Sequence, residues 1–165
     1  MKYLVVCFFV LSITFVHSQD YFQQKVDYDI TVKLDDNNHT LSAFEKIIYT
    51  NNSPDELSFL WFHIWPNAYK NDSTAYAKQA GPNSKFANSD SLSRGFIDSL
   101  DFSVNGKKVE WSYHPDWVDV VKLNLIEPLN PGESITIETP FFVKLPKVFS
   151  RLGHSGKHYE ITQWY

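Results

Sequence analysis

The sequence has almost no cysteine: Cys7 is the single one in 165 residues. It lies inside an N-terminal apolar run, so the rest of the chain carries no thiol. Disulfides therefore cannot hold the fold together, even in an oxidising compartment, and cysteine nucleophiles and thiolate zinc sites are excluded with them. An excess of positive charge is also missing. There are 15 basic against 19 acidic side chains, and Lys33, Lys46, Lys70 and Lys122 are scattered among carboxylates. Without a basic stripe, nucleic acid is not an expected partner. The chain also lacks a Gly-x-Ser-x-Gly elbow, a phosphate loop and a dinucleotide fingerprint, which removes the nucleophile and nucleotide classes that those motifs mark.

What is present starts with Lys2 and an apolar run from Tyr3 to Leu11 that resumes from Ile13 to Val16. Residues 1–18 read as a signal peptide, with Val16 and Ser18 at the small-residue cleavage positions and Gln19 opening the mature chain. The run, about 14 residues, is shorter than the roughly 20 that a bilayer span needs. Cleavage is therefore favoured over an anchor, and the mature chain is expected to be secreted or periplasmic with no stable membrane span. Aromatic residues make up 16% of the chain, which supplies apolar surface for one core that burial must stabilise.

Period-two patterning dominates the mature chain. Tyr28, Ile30, Val32 and Leu34 alternate with Asp29, Thr31 and Lys33, and a turn at Asp35–Asn38 leads into a second strand over 41–50. Residues 57–65 form a nearly continuous apolar run, expected to be a strand buried on both faces. The polar stretch 66–94 reads as a long inserted loop, more a surface decoration than a lid. Strands are expected again over 95–104 and 107–113, joined by an Asn105-Gly106 hairpin turn. Two more, over 118–125 and 134–143, flank Pro128-Leu129-Asn130-Pro131-Gly132, which is expected to stop both. The fold class is all-β: a saddle-like or sandwich arrangement of antiparallel or mixed sheet.

Possible chemistry is thin. His154 and His158 have a helix-like spacing, yet Gly156 disfavours a helix and no glutamate lies between them, so they read as solvent-facing loop histidines. His63, between Phe62 and Ile64, reads as a hydrogen-bonded core histidine. Asp116 and Asp119 flank Trp117 and have the residue types of a glycosidase pair, but His114-Pro115-Asp116 reads more simply as a turn. No catalytic or metal-ligating residue is assigned.

The order of several segments resembles the N-terminal β-saddle domain of the aminopeptidase N family of zinc metallopeptidases. The resemblance rests on Tyr28-Asp29-Ile30-Thr31-Val32, on Thr50-Asn51-Asn52-Ser53-Pro54 before Leu57, and on Trp65-Pro66-Asn67-Ala68-Tyr69. Arg151-Leu152-Gly153 and Ile161-Thr162-Gln163-Trp164-Tyr165 complete it. It implies that residues 19–165 are the N-terminal β-domain of a longer secreted peptidase, incomplete at the C-terminus. Zinc and the His-Glu-x-x-His helix would then belong to a following catalytic domain, so this chain alone should be inactive. The implied partners are that catalytic domain and a peptide substrate. Gln163 matches a glutamine that borders the family's substrate cleft. Tyr165 stands where many members carry an acidic or amide side chain that holds the substrate's amine, and a phenol cannot supply that charge. Both are expected on one face of a rim strand. The alternative is a stand-alone secreted β-sandwich for adhesion or carbohydrate binding, presenting Trp111, Tyr113 and Trp117.

Overall fold

The computed structural model describes residues 21–165, so the expected signal peptide and its cleavage site lie outside the described residues. Strand β1 (Lys25–Asp35) and strand β2 (Thr40–Thr50) pair in antiparallel register from Lys25 opposite Thr50 to Asp35 opposite Thr40. The turn between them is built by Asp35, whose carboxylate accepts the backbone N–H groups of Asn37 and Asn38 at 2.9 and 3.0 Å. The Asn38 side chain also donates to this carboxylate, and that bond first, then the two backbone bonds, favour the charged form and lower the pKa of Asp35.

The other strands are β3 (Leu57–His63), β4 (Phe96–Asp98), β5 (Ser103–Val104), β6 (Lys107–Lys108), β7 (Trp111–Tyr113), β8 (Val120–Leu129), β9 (Ser134–Lys144), β10 (Leu152–Ser155) and β11 (His158–Ile161). The larger sheet runs β1-β2-β9-β5-β6, with β4 also on β9, and the second runs β3-β8-β7. Strands β10 and β11 form a separate hairpin. All of these ladders are antiparallel, giving the all-β, sandwich-like fold expected. Alternation explains the core: Leu41, Ile47, Ile137 and Val143 from the larger sheet and Leu60, Val121 and Leu123 from the second are buried together with Phe102. Each such side chain contributes roughly 1.5–3 kcal/mol of burial.

Five expectations need correction. Residues 107–113 are not one strand: Lys107–Lys108 lies on the larger sheet and Trp111–Tyr113 on the second. Strand β3 is not buried on both faces: Leu60 is buried and Phe62 packs on the core, while Phe59 and Trp61 are exposed. Two-sided burial needs a layer on each side of a sheet, and here one side faces solvent. The segment 95–104 is two short strands, split where Ser99 takes a positive φ of 61°. On that edge β9 has no strand beside Pro140, a residue with no N–H to offer, while its other edge pairs with Phe44 of β2. Strand β8 continues through Pro128 to Leu129, so the hairpin loop is shorter than expected.

Residues 66–94 are not mere decoration. A 3-10 turn (Trp65–Tyr69) and helix α1 (Ala75–Ala80) bring Tyr69 and Tyr76 against the fully buried Phe86, which meets Phe149 edge to face at 5.2 Å. Arg94 lies over the Phe86 ring at 4.6 Å and pairs with Asp72 at 2.7 Å. A few aromatics far apart in sequence thus give the segment its own small core. The fully buried Asn67 ties it to the sheets, donating to Val118 O and accepting from Ile97 N–H.

Candidate functional site

At the open edge of the sandwich, β1 and β2 face β3 across a cavity of about 290 Å3. Strand register decides who lines it. Positions 41, 43, 45, 47 and 49 of β2 point to the same face, opposite Leu34, Val32, Ile30, Tyr28 and Val26 of β1. Four of those β2 residues are apolar or aromatic and the fifth is Glu45. Its side chain therefore enters the cavity beside Tyr28, Ile47 and Tyr49, with Trp61, Phe62, His63 and Trp65 supplied from the other side. Glu45 is only 6% exposed, and its Oε2 meets no hydrogen-bond donor among the described residues. Burial alone pushes its pKa up to about 7, because a charged carboxylate loses its water there.

Tyr165 closes one side of the same cavity, with its ring 5.2 Å from Tyr28. Desolvation raises the pKa of Tyr28, helped by repulsion from Tyr165 and Glu45. Gln163 is elsewhere. Strand β11 ends at Ile161, and Gln163 sits beyond it with a positive φ of 53°, lining an open hollow with Arg151, Glu160 and Thr162. The expected rim strand carrying Gln163 and Tyr165 on one face is thus corrected. The positive φ of Gln163 breaks the two-residue period that would have aligned them. Trp164 between them tucks against Phe141 at 5.9 Å.

The histidines also depart from expectation. His154 is on β10, half-buried and stacked on His39 at 3.6 Å, while His158 on β11 is exposed. His39 Nδ1 lies 2.8 Å from the Tyr159 hydroxyl, so the pair joins the β1–β2 turn to the last hairpin. Burial, then the neighbouring His39, lowers the pKa of His154. His63 is exposed and stacked on Trp65 at 4.2 Å rather than hydrogen-bonded in the core. Asp116 belongs to a turn, as expected, its N–H donating to His114 Nδ1. Trp111 is half-buried against Phe102, whereas Tyr113 and Trp117 are exposed.

Among the described residues, no three His, Cys, Asp or Glu side chains converge to hold a metal, and no helix is long and apolar enough to cross a membrane. A further cavity of about 400 Å3 near Val104, Leu125 and Ile135 has only exposed Lys107, Glu127 and Glu133 as charged lining. Glu45 is the group that sequence reading passed over. Its signal was legible, since an acidic residue interrupts the apolar face Leu41, Ala43, Ile47, Tyr49.

Compared by sequence, the chain matches no family model and no curated protein. Compared by structure, it is similar to an M1 zinc metallopeptidase from Deinococcus radiodurans and to a mutant of that enzyme bound to a Tyr-Ser-Ala substrate. In each case the identity is 15% and the TM-score 0.46, over 73% of this chain and 21% of the other. The chain thus spans about a fifth of the length of those structures.

Proposed function

We propose that this chain is the non-catalytic N-terminal β-domain of a secreted zinc metallopeptidase of aminopeptidase type, supporting the catalytic domain and bordering its substrate cleft. The observation that carries the reading is an uncovered apolar face. Tyr28, Val32 and Leu34 are 49%, 46% and 41% exposed, although they share a sheet face with the buried Leu41 and Ile47. A contiguous apolar surface that continues a core face fits a neighbouring domain better than water. The motifs from Arg151 to Gly153 and from Ile161 to Tyr165 support the same reading. Zinc and a water-activating base then belong to the catalytic domain, and exposed Gln163 is the residue of this chain that borders substrate.

The test is the coding sequence beyond Tyr165. A His-Glu-x-x-His helix within the next few hundred residues supports the reading, and a stop codon refutes it. In the longer protein, Gln163→Ala is expected to slow turnover of short peptides more than it lowers Tm. The stand-alone carbohydrate-binding reading rests on the exposed Tyr113 and on Trp117, which stacks on His114 at 4.3 Å. Glycan binding lost in Trp117→Ala would favour it.

A further inference from the structure

We propose that two copies of this chain associate through the free edge of β1, pairing antiparallel about Ile30 so that the larger sheet continues from one copy into the other. The inference goes beyond the peptidase reading and uses the backbone edge of the sheet, leaving its apolar face to the neighbouring domain. Among the described residues, the backbone of β1 pairs only with β2, so its outward N–H and C=O groups along Lys25–Asp35 have no strand beside them. Such an edge invites another strand unless something blunts it. The other edges of the two main sheets are blunted. Strand β6 is just Lys107 and Lys108, β4 and β7 have three residues each, and β3 is interrupted by a register shift between Leu57 and Phe59. Strand β1 has 11 residues, no proline and an unbroken register with β2.

Charge selects the occupant. A two-fold axis perpendicular to the sheet through Ile30 makes the two strands antiparallel, with Lys25 opposite Asp35 of the second copy, Asp27 opposite Lys33, and Asp29 opposite Thr31. On the other face the same register sets Val26 opposite Leu34, Tyr28 opposite Val32, and Ile30 opposite its own copy; an aromatic against a β-branched residue is a favourable cross-strand pair. Tyr28, Val32 and Leu34 are all exposed in the single chain. Neighbouring registers lose this match. A slip of one residue sets the apolar row against the polar one. An axis through Asp29 opposes Lys25 with Lys33 and Asp29 with itself, and an axis through Thr31 opposes Asp27 with Asp35. The charges that would repel a foreign strand are thus arranged to accept the same strand reversed.

Within the single chain Lys25 lies 3.0 Å from Asp27, and the Asp35 carboxylate is engaged by its own turn. Lys33 forms no ion pair among the described residues, so its pairing with Asp27 of the second copy is the most direct reporter. Two edges of this length bury an area at the low end of specific interfaces, so the dimer is expected to be weak, with a Kd on the order of 0.1 mM. Reversing one charge turns two symmetry-related pairs from attraction to repulsion and should weaken it about tenfold.

Sedimentation equilibrium from about 10 µM to about 1 mM chain reads the association, under reducing conditions so that Cys7 links no copies. The wild type is expected to pass from monomer to dimer over this range, and Asp27→Lys and Lys33→Asp each to stay largely monomeric. An equimolar mixture of those two variants is expected to recover association, because each copy then meets the opposite charge at both positions. Recovery needs two folded chains, so it separates loss of the contact from loss of the fold. In the wild type, hydrogen exchange of the outward β1 amides should slow as the concentration rises. A wild type still monomeric at about 1 mM would overturn the proposal. So would a dimer indifferent to both reversals, a mixture no stronger than its components, or β1 exchange that ignores concentration.

Discussion

Glu45→Gln is expected to raise stability at alkaline pH and leave it unchanged at acid pH. In the folded chain the carboxyl holds its proton up to about 7, against an ordinary value of 4.5. The folded state therefore binds the proton more tightly than the unfolded state. Its contribution to stability is complete below pH 4.5 and is lost as the pH rises through 7. At roughly 1.4 kcal/mol per unit, the loss is about 3 kcal/mol by pH 8. Glutamine cannot ionise, so the variant keeps what the wild type loses, equivalent to about 6–12 °C in Tm. Other groups titrate over part of this range: His154, with its lowered pKa, weakens the fold as the pH falls below 6.5. The difference between wild type and variant cancels those terms. Thermal melts at half-unit steps from pH 4.5 to 8.5 should show the two Tm curves together at the acid end and diverging upward. Parallel curves across the whole range would mean that Glu45 ionises freely in a wet cavity, and the reasoning from burial would fail.

Asn51→Ala should cost about 2–4 kcal/mol in chemical denaturation. The side chain is fully buried, donates to Asp55 O and Leu129 O at 2.8 and 2.9 Å, and accepts from the Ser53 N–H and hydroxyl. A loss under about 0.5 kcal/mol, the size of an ordinary surface change, would count against that network. Gly95→Ala should destabilise more than its small added volume suggests, because a Cβ there would lie 2.5 Å from Pro146 Cδ and 2.6 Å from Lys144 O. An unchanged Tm would disprove the close approach. Acidification below pH 6.5 should loosen the β10–β11 hairpin, since burial first, and then the neighbouring His39, oppose protonation of His154. Hydrogen exchange, corrected for intrinsic rates, should show faster opening of those amides at pH 5.5, and His154→Phe should remove the pH dependence.

The sequence by itself determined the strands that carry strong alternation. The residues of β1, β2 and β9 announce their faces at period two, and Asn105-Gly106 announces its turn, with both residues at positive φ. Local chemistry was enough there because each face and each turn is encoded within a few neighbours. The apolar run of β3 was ambiguous, because a run without alternation does not say which layers lie on either side. The 66–94 segment was opaque for a related reason: Phe86 is one aromatic among polar neighbours until Tyr69, Tyr76 and Phe149 close around it. Likewise, nothing in the sequence joined His39 to His154, or sent Gln163 and Tyr165 to different surfaces. Glu45 lies between these cases. Alternation placed it on an apolar face, but only the approach of β3 across the sandwich removed its water and turned an ordinary carboxylate into a buried one that holds its proton to about pH 7.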